Sequence, residues 1–333
     1  MERKKVVIYG TLGPACRDRD TLRAMFRAGM DGIRLNLSHT TLEAAAGLIE
    51  TYHAAARDCG AEPELLIDMQ GPELRVGDLP APLTLDTGAV ISPERLPFPA
   101  PVVRALAASG CGQEVLLDDG KLLLRALASG DLEVVRGGVL TGRKSVALPG
   151  QTIVSPAMTE KDRVQLAQAG SYGVTAVMQP FVRCREDLMQ VRSALEQAGS
   201  GHIRLFAKIE NQVGIRRLPE LLPCCDEIVI ARGDLGNAMD LWQLPAAQKR
   251  IAAQCRAAGR DFMVVTQMLD SMTHRSVPTR AEVSDIFNAV LDGAASVMVT
   301  GETAAGDYPV EVIRYLVNTV RAAEDYCRSG KEV

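Results

Sequence analysis

Two short apolar runs in the middle of the chain end in charge. Residues 203–207 lead into Lys208 and Glu210, and residues 228–231 lead into Arg232, Gly233 and Asp234. Each reads as a buried strand that delivers charge at its C-terminal end, with a helical segment at 212–222 between them. Two carboxylates and a lysine at neighbouring strand ends suit a hard divalent cation and an anionic substrate. A lone strand-end charge usually just faces water, but here the pattern recurs. The run at 32–37 carries Arg34 and Asn36 and is followed by Ser38 and His39. The run at 64–68 ends in Asp68, with Glu73 and Arg75 shortly after, and the run at 262–266 ends in Thr266. Gathered in one volume, such charges must pair with each other, a metal or a ligand. Arginine forks suit phosphate oxygens, and a lysine suits a phosphoryl group as a point charge. Gly233 carries no side chain to keep a ligand carboxylate away from the backbone. Phosphoryl transfer on a small, carboxylate-bearing substrate is the chemistry this set favours.

The elements that must position these residues alternate. Residues 4–10, 32–37 and 64–68 read as strands, separated by helices at 18–28 and 41–58, the second capped by Thr41. The rhythm resumes at 159, with strands at 174–178, 203–207, 228–231, 262–266 and 296–300. Helices are expected at 183–198, 245–258, 280–293 and 309–326. Eight strands alternating with helices predict a (β/α)8 TIM barrel, an α/β fold whose active sites lie at strand C-termini. Between the third and fourth strands the rhythm breaks. Residues 76–157 are rich in proline and glycine, with short alternating runs and a hairpin signal at Asp118, Asp119 and Gly120. They read as a small all-β lid domain inserted in a barrel made of 1–75 and 158–333.

The chain has 333 residues, 47% of them hydrophobic and 23% charged, with a net charge of −4. That length fits a barrel-sized domain with an insertion. No basic block suggests nucleic acid, and no apolar stretch reaches membrane-spanning length. The start runs from charge straight into a strand, without a signal-peptide pattern, so a cytoplasmic location is expected. Eight cysteines show no C-x-x-C pair and four histidines no H-x-x-x-H pattern, which argues against zinc and disulfide frameworks.

At these residues the chain resembles the pyruvate kinase family over nearly its whole length. The stretches that carry the resemblance begin with Arg34-Leu-Asn-Leu-Ser-His39, Asp68-Met-Gln-Gly-Pro-Glu-Leu-Arg75, Asp118-Asp-Gly120 and Glu160-Lys-Asp162. They continue through Lys208-Ile-Glu-Asn211, Ala231-Arg-Gly-Asp-Leu-Gly236, Thr266-Gln-Met268, Pro278-Thr-Arg-Ala-Glu-Val-Ser-Asp285, Asn288-Ala-Val-Leu-Asp-Gly293 and Gly301-Glu-Thr-Ala304. So many matches in order are far more specific than any one motif. The resemblance implies transfer of a phosphoryl group from phosphoenolpyruvate to ADP, giving pyruvate and ATP. It implies Glu210 and Asp234 as ligands of Mg2+ (or Mn2+), and Lys208 and Arg34 on the moving phosphoryl group. Thr266, Gly233 and Asp234 are implied at the substrate carboxylate. Asn36, Ser38, Asp68 and the Met69 carbonyl are implied as a K+ site, with Glu73 as the acid associated with K+ dependence. His39, Arg75 and Lys161 are implied as nucleotide contacts, and Asp119 as a group that the lid brings over the nucleotide.

The departures from the family pattern are specific. Met69 and Gln70 stand where threonine and lysine are usual, which removes a cation. Val213 replaces a glutamate, Thr40 replaces a glycine, and Asn237-Ala-Met-Asp240 replaces Ile-Glu-Ile-Pro. The lid is somewhat shorter than usual. The resemblance runs out after the eighth helix, so a form without the C-terminal allosteric domain is expected. A homodimer through the barrel fits the likeness, although Asn237-Ala-Met-Asp240 alters a stretch near that contact. Two other readings stay open: a metal-dependent 2-oxo acid lyase or decarboxylase working through an enolate, and a non-catalytic ligand-binding relative. Dependence on ADP separates the first from a kinase, and binding without turnover marks the second.

Overall fold

Eight apolar runs become eight parallel strands of one closed barrel in the computed structural model, which describes residues 5–118, 120–151 and 156–329. In chain order they are β1 (Val7–Thr11), β2 (Gly32–Asn36), β3 (Glu64–Asp68), β4 (Ala176–Gln179), β5 (Arg204–Ile209), β6 (Glu227–Ala231), β7 (Asp261–Val265) and β8 (Ser296–Met298). Each strand pairs with its sequence neighbours, and β8 closes on β1. The expected (β/α)8 TIM barrel is therefore the fold.

Side chains alternate inward and outward along each strand, and this sorts the barrel interior into layers. The middle layer is apolar: Leu66, Met178, Phe206, Val229, Met263 and Met298 form one buried cluster. Two residues further along β3 and β5 the same inward column reaches Asp68 and Lys208. Two residues back it reaches Glu64 and Arg204. A packed apolar plug thus separates a polar upper end from a polar lower end. The outward positions, among them Leu65, Ile67, Leu205, Ile228 and Val264, pack on the surrounding helices in a second, larger cluster.

The helices end where local chemistry ends them. Asp18 caps Arg19–Ala28 by accepting from the Thr21 amide, and Thr159 with Asp162 forms a reciprocal capping box on Glu160–Gln168. The helix expected from Thr41 begins later, as Ala46–Asp58. Thr41 Oγ accepts from the Ala44 amide (3.1 Å) and Gln165 Oε1 holds the Leu42 amide (2.7 Å), which fixes a turn where the first helical residues would lie.

The insertion is mostly antiparallel sheet. Strands Val146–Ala147, Glu114–Leu117, Leu122–Ala126, Leu132–Arg136 and Val90–Ile91 lie in that order, and Leu83–Leu85 pairs separately with Gly138–Leu140. A ten-residue helix, Ala100–Ser109, is added to the strands. Its Pro-Ala-Pro entry reads as a breaker, yet proline is well tolerated in a first helical turn. Val102, Val115, Leu124, Val134 and Leu140 give this unit a core of its own. Among the described residues no helix is long and apolar enough to cross a membrane.

Candidate active site

At the C-terminal end of the barrel, Asp68 is buried between two cations. Arg34 donates to its Oδ2 through Nε (2.9 Å) and Nη2 (2.7 Å), and Lys208 Nζ stands 3.2 Å from both of its oxygens. Burial alone would raise the Asp68 carboxyl, but the charges of Lys208 and Arg34 outweigh it and hold the group below its usual range. Lys208 Nζ also lies 3.0 Å from Glu210 Oε1. Burial works against the ammonium, yet Asp68 and Glu210 raise the Lys208 pKa above its ordinary value, so it stays charged. Register explains the meeting: Asn36 pairs with Asp68 across β2 and β3, and Met178 pairs with Asp68 across β3 and β4.

Glu210 is 3% exposed, and only one of its oxygens is well matched. Oε2 accepts from the Phe181 amide at 2.8 Å, whereas Oε1 has the nearby ammonium outside hydrogen-bonding alignment and no other partner among the described residues. Burial first, then the negative charges of Asp234 and Asp68, raise the Glu210 carboxyl against the opposing pull of Lys208. Asp234 comes from Arg232–Asn237, a short helix directly after β6 that its glycines concealed in the sequence. Glu210 and Asp234 face one cavity of about 250 Å³, whose walls include Glu73, Phe181 and Asn237, with Gly120 of the insertion above. An unmatched buried carboxylate oxygen beside a second carboxylate fits a hard divalent cation.

The ends of β6 and β7 are tied by Arg232. Its Nε (3.2 Å) and Nη2 (2.8 Å) donate to the Thr266 carbonyl, and Nη1 pairs with Asp285. Thr266 has φ of +80°, a sparsely populated conformation for a β-branched residue, and that clamp helps to hold it there. A Cβ added at Gly233 would lie 3.1 Å from Thr266 Cγ2, so the glycine leaves the threonine side chain its room. Thr266 and Gly233 are thus brought together, as the candidate substrate residues require.

The other candidates sit at the rim. His39 is exposed; partial desolvation, then the charges of Arg75 and Arg34, lower its pKa. Arg75 is braced by Glu73 (2.9 and 2.7 Å) and by the Arg143 carbonyl of the insertion (2.8 Å). Lys161 is exposed in the first turn of its helix, away from the walls of the cavity. Asp119 lies outside the described residues. Asn36 Oδ1 accepts from the Ser38 amide (3.1 Å), and buried Met69 follows Asp68 directly. Amide, hydroxyl, carboxylate and carbonyl oxygens are chemically hard donors of the kind a potassium ion takes, and the Asp68 carboxylate among them is already held by Arg34 and Lys208.

Four residues contribute through contacts that the sequence does not announce. Phe181 acts through its backbone amide, at φ of +54°. Arg232 and Asp285 meet across 53 residues. Asp162 accepts from backbone amides more than ninety residues away.

Comparison with known proteins agrees with this geometry. The family described as "Pyruvate kinase, barrel domain" matches residues 3–93 and 102–313. The chain is 35% identical over 328 residues to a pyruvate kinase of Geobacillus stearothermophilus, covering 94% of this chain and 56% of that protein. It is 38% identical over 322 residues to one of Methylorubrum extorquens (93% and 66%). It is 34% identical over 340 residues to pyruvate kinase 2 of Candida glabrata (96% and 66%). The chain thus spans a little over half to two thirds of the length of these relatives. A match that runs through both the barrel and the insertion, on a barrel whose strand ends meet as described, places this chain in the pyruvate kinase barrel family.

Proposed function

We propose that this chain transfers a phosphoryl group from phosphoenolpyruvate to ADP, giving pyruvate and ATP. The observation that carries the reading is the chain of paired charges from half-buried Arg34 through buried Asp68 and half-buried Lys208 to buried Glu210, beside the cavity shared by Glu210 and Asp234. Relatives named pyruvate kinase support it.

Arg34 and Lys208 offer guanidinium and ammonium charge to the phosphoryl oxygens. Lys208 acts as a fixed cation, because its acidic neighbours keep its proton in place. The Thr266 hydroxyl and the backbone at Gly233 and Asp234 orient the substrate carboxylate. In the transfer the bond from phosphorus to the enol oxygen breaks, and a bond to a β-phosphate oxygen of ADP forms. The enolate left behind takes a proton at its terminal carbon, passed from solvent through the Thr266 hydroxyl. His39, Arg75 and Lys161 bind the nucleotide, and the insertion closes over it to exclude water.

Glu210 and Asp234 would hold Mg2+ or Mn2+, which would offset negative charge developing on the substrate oxygens. Asn36, Ser38, Asp68 and the Met69 carbonyl would hold K+, which would supply further positive charge to the site.

A coupled assay with phosphoenolpyruvate and ADP, with and without Mg2+ and K+, tests this directly. ADP-dependent pyruvate formation that needs Mg2+ and is depressed when Na+ replaces K+ is the expected result. Oxaloacetate decarboxylation with no response to ADP would overturn it.

A further inference from the structure

One buried carboxylate joins the two ends of the insertion. Asp162 is 1% exposed, in the first turn of the helix that follows the insertion. Its Oδ1 accepts from the Gln70 amide (3.0 Å), and both oxygens lie near the Gly71 amide (3.3 and 3.2 Å). Its Oδ2 accepts from the Thr159 amide and hydroxyl, each at 2.7 Å. Gln70 and Gly71 lie on the chain leaving the barrel for the insertion, and Thr159 lies where the chain returns. A capping box alone needs only the Thr159 contacts. The amides of Gln70 and Gly71 are additional, and they come from the opposite end of the insertion.

The outgoing chain has little slack on its other side. Gly71 has φ of +62°, and a Cβ there would lie 2.3 Å from Pro180 Cγ. Beyond Gly71 the same segment carries Glu73 and Arg75, and Arg75 bridges to Ser145 of the insertion. Arg34 and Lys208, by contrast, are placed by β2 and β5, which make no use of this carboxylate.

We propose that Asp162 is a positioning residue: it pins both connections of the insertion to the barrel and so sets where Arg75 and the insertion stand over the nucleotide. The proposal rests on the phosphoryl-transfer reading for its kinetic consequence but not for its structural one. Asp162→Ala leaves the Gln70, Gly71 and Thr159 amides without their acceptor. Asp162→Asn keeps the size but turns amide hydrogens toward amide donors.

The test measures KM for each substrate together with amide hydrogen exchange in the intact 333-residue chain. In Asp162→Ala and Asp162→Asn the KM for ADP should rise about tenfold, the scale of one lost hydrogen bond to a charged group, while that for phosphoenolpyruvate stays within about twofold. Exchange over residues 69–75 should quicken about tenfold or more, while the helix Arg19–Ala28 exchanges as before. Thr159→Ala removes one of the contacts and should show the same split at about two- to threefold, which keeps the proposal testable if the Asp162 variants fail to fold. A purely structural role would lower stability and leave the ratio of the two KM values unchanged; that result, or unchanged exchange over 69–75, overturns the proposal. If the wild-type chain turns over neither substrate, the phosphoryl-transfer reading falls, and the exchange measurement alone decides the role of Asp162.

Discussion

Lys208 and Asp68 protect one another's charge. The carboxylate keeps the ammonium protonated, and the ammonium with Arg34 keeps the buried carboxylate ionised. Neither is placed to exchange protons during a reaction, so their contribution is electrostatic and set before substrate arrives. Lys208→Met should cut turnover by about a thousandfold or more, the scale of losing a preorganised charge at the reacting group. Steady-state kinetics checks this, and near-normal turnover would remove Lys208 from its assigned place. The same variant leaves Asp68 with Arg34 alone, so the Asp68 pKa should rise, which carboxyl-selective NMR can follow. The residue types at this point were legible because an apolar run ending in charge is conspicuous. The pairing was not, since nothing in a linear sequence says that Arg34 and Lys208 share one aspartate.

The short segments after the strands do more than the sequence announces. Arg232 begins a short helix that carries Asp234, and its side chain crosses to the Thr266 carbonyl and to Asp285 in the middle of the helix Arg280–Leu291. The clamp holds the left-handed Thr266 against Gly233. Arg232→Ala should therefore lower kcat/KM for phosphoenolpyruvate about a hundredfold, while the fold survives on the barrel's other contacts. Asp285→Asn should do the same more weakly, and the double variant should fall short of the sum, because both act on one bridge. Additive effects would show that the bridge does not act as a unit. The strands themselves were readable to within a few residues, since continuous apolar runs with glycine or charge at their ends have few other homes. Helix Ala100–Ser109 and the late start at Ala46 were not, because proline pairs and a distant Gln165 decide them.

At the scale of the whole barrel, the lower polar layer is a feature that sequence reading passed over. Glu64 accepts from Tyr9 and from Arg204, and Ser296 donates to Glu227 at 2.5 Å. Charges at strand starts read as solvent-facing flanks, but inward alternation buries Glu227 beneath the apolar plug and leaves Glu64 and Arg204 half-buried around it. Burial, with Asp261 and Glu64 adding to it and Ser296 and Arg204 opposing it, pushes the Glu227 carboxyl from 4.5 up to about 7. The folded state therefore holds this proton where the unfolded chain has released it. The resulting stability is fully present below about pH 4.5 and is lost as the pH rises towards about 7, a change on the order of 3 kcal/mol. Glu227→Gln should flatten that part of the stability profile in denaturant melts, and an unchanged slope would mean that Glu227 is ionised in the fold. The upper end of the barrel carries the central claim, that Glu210 and Asp234 hold one divalent cation beside Lys208. Titration of Mn2+ followed by electron paramagnetic resonance tests it most directly. One ion should bind per chain, with Glu210→Gln and Asp234→Asn each weakening it strongly and Lys208→Met retaining it. Undiminished binding in either carboxylate variant would contradict the account.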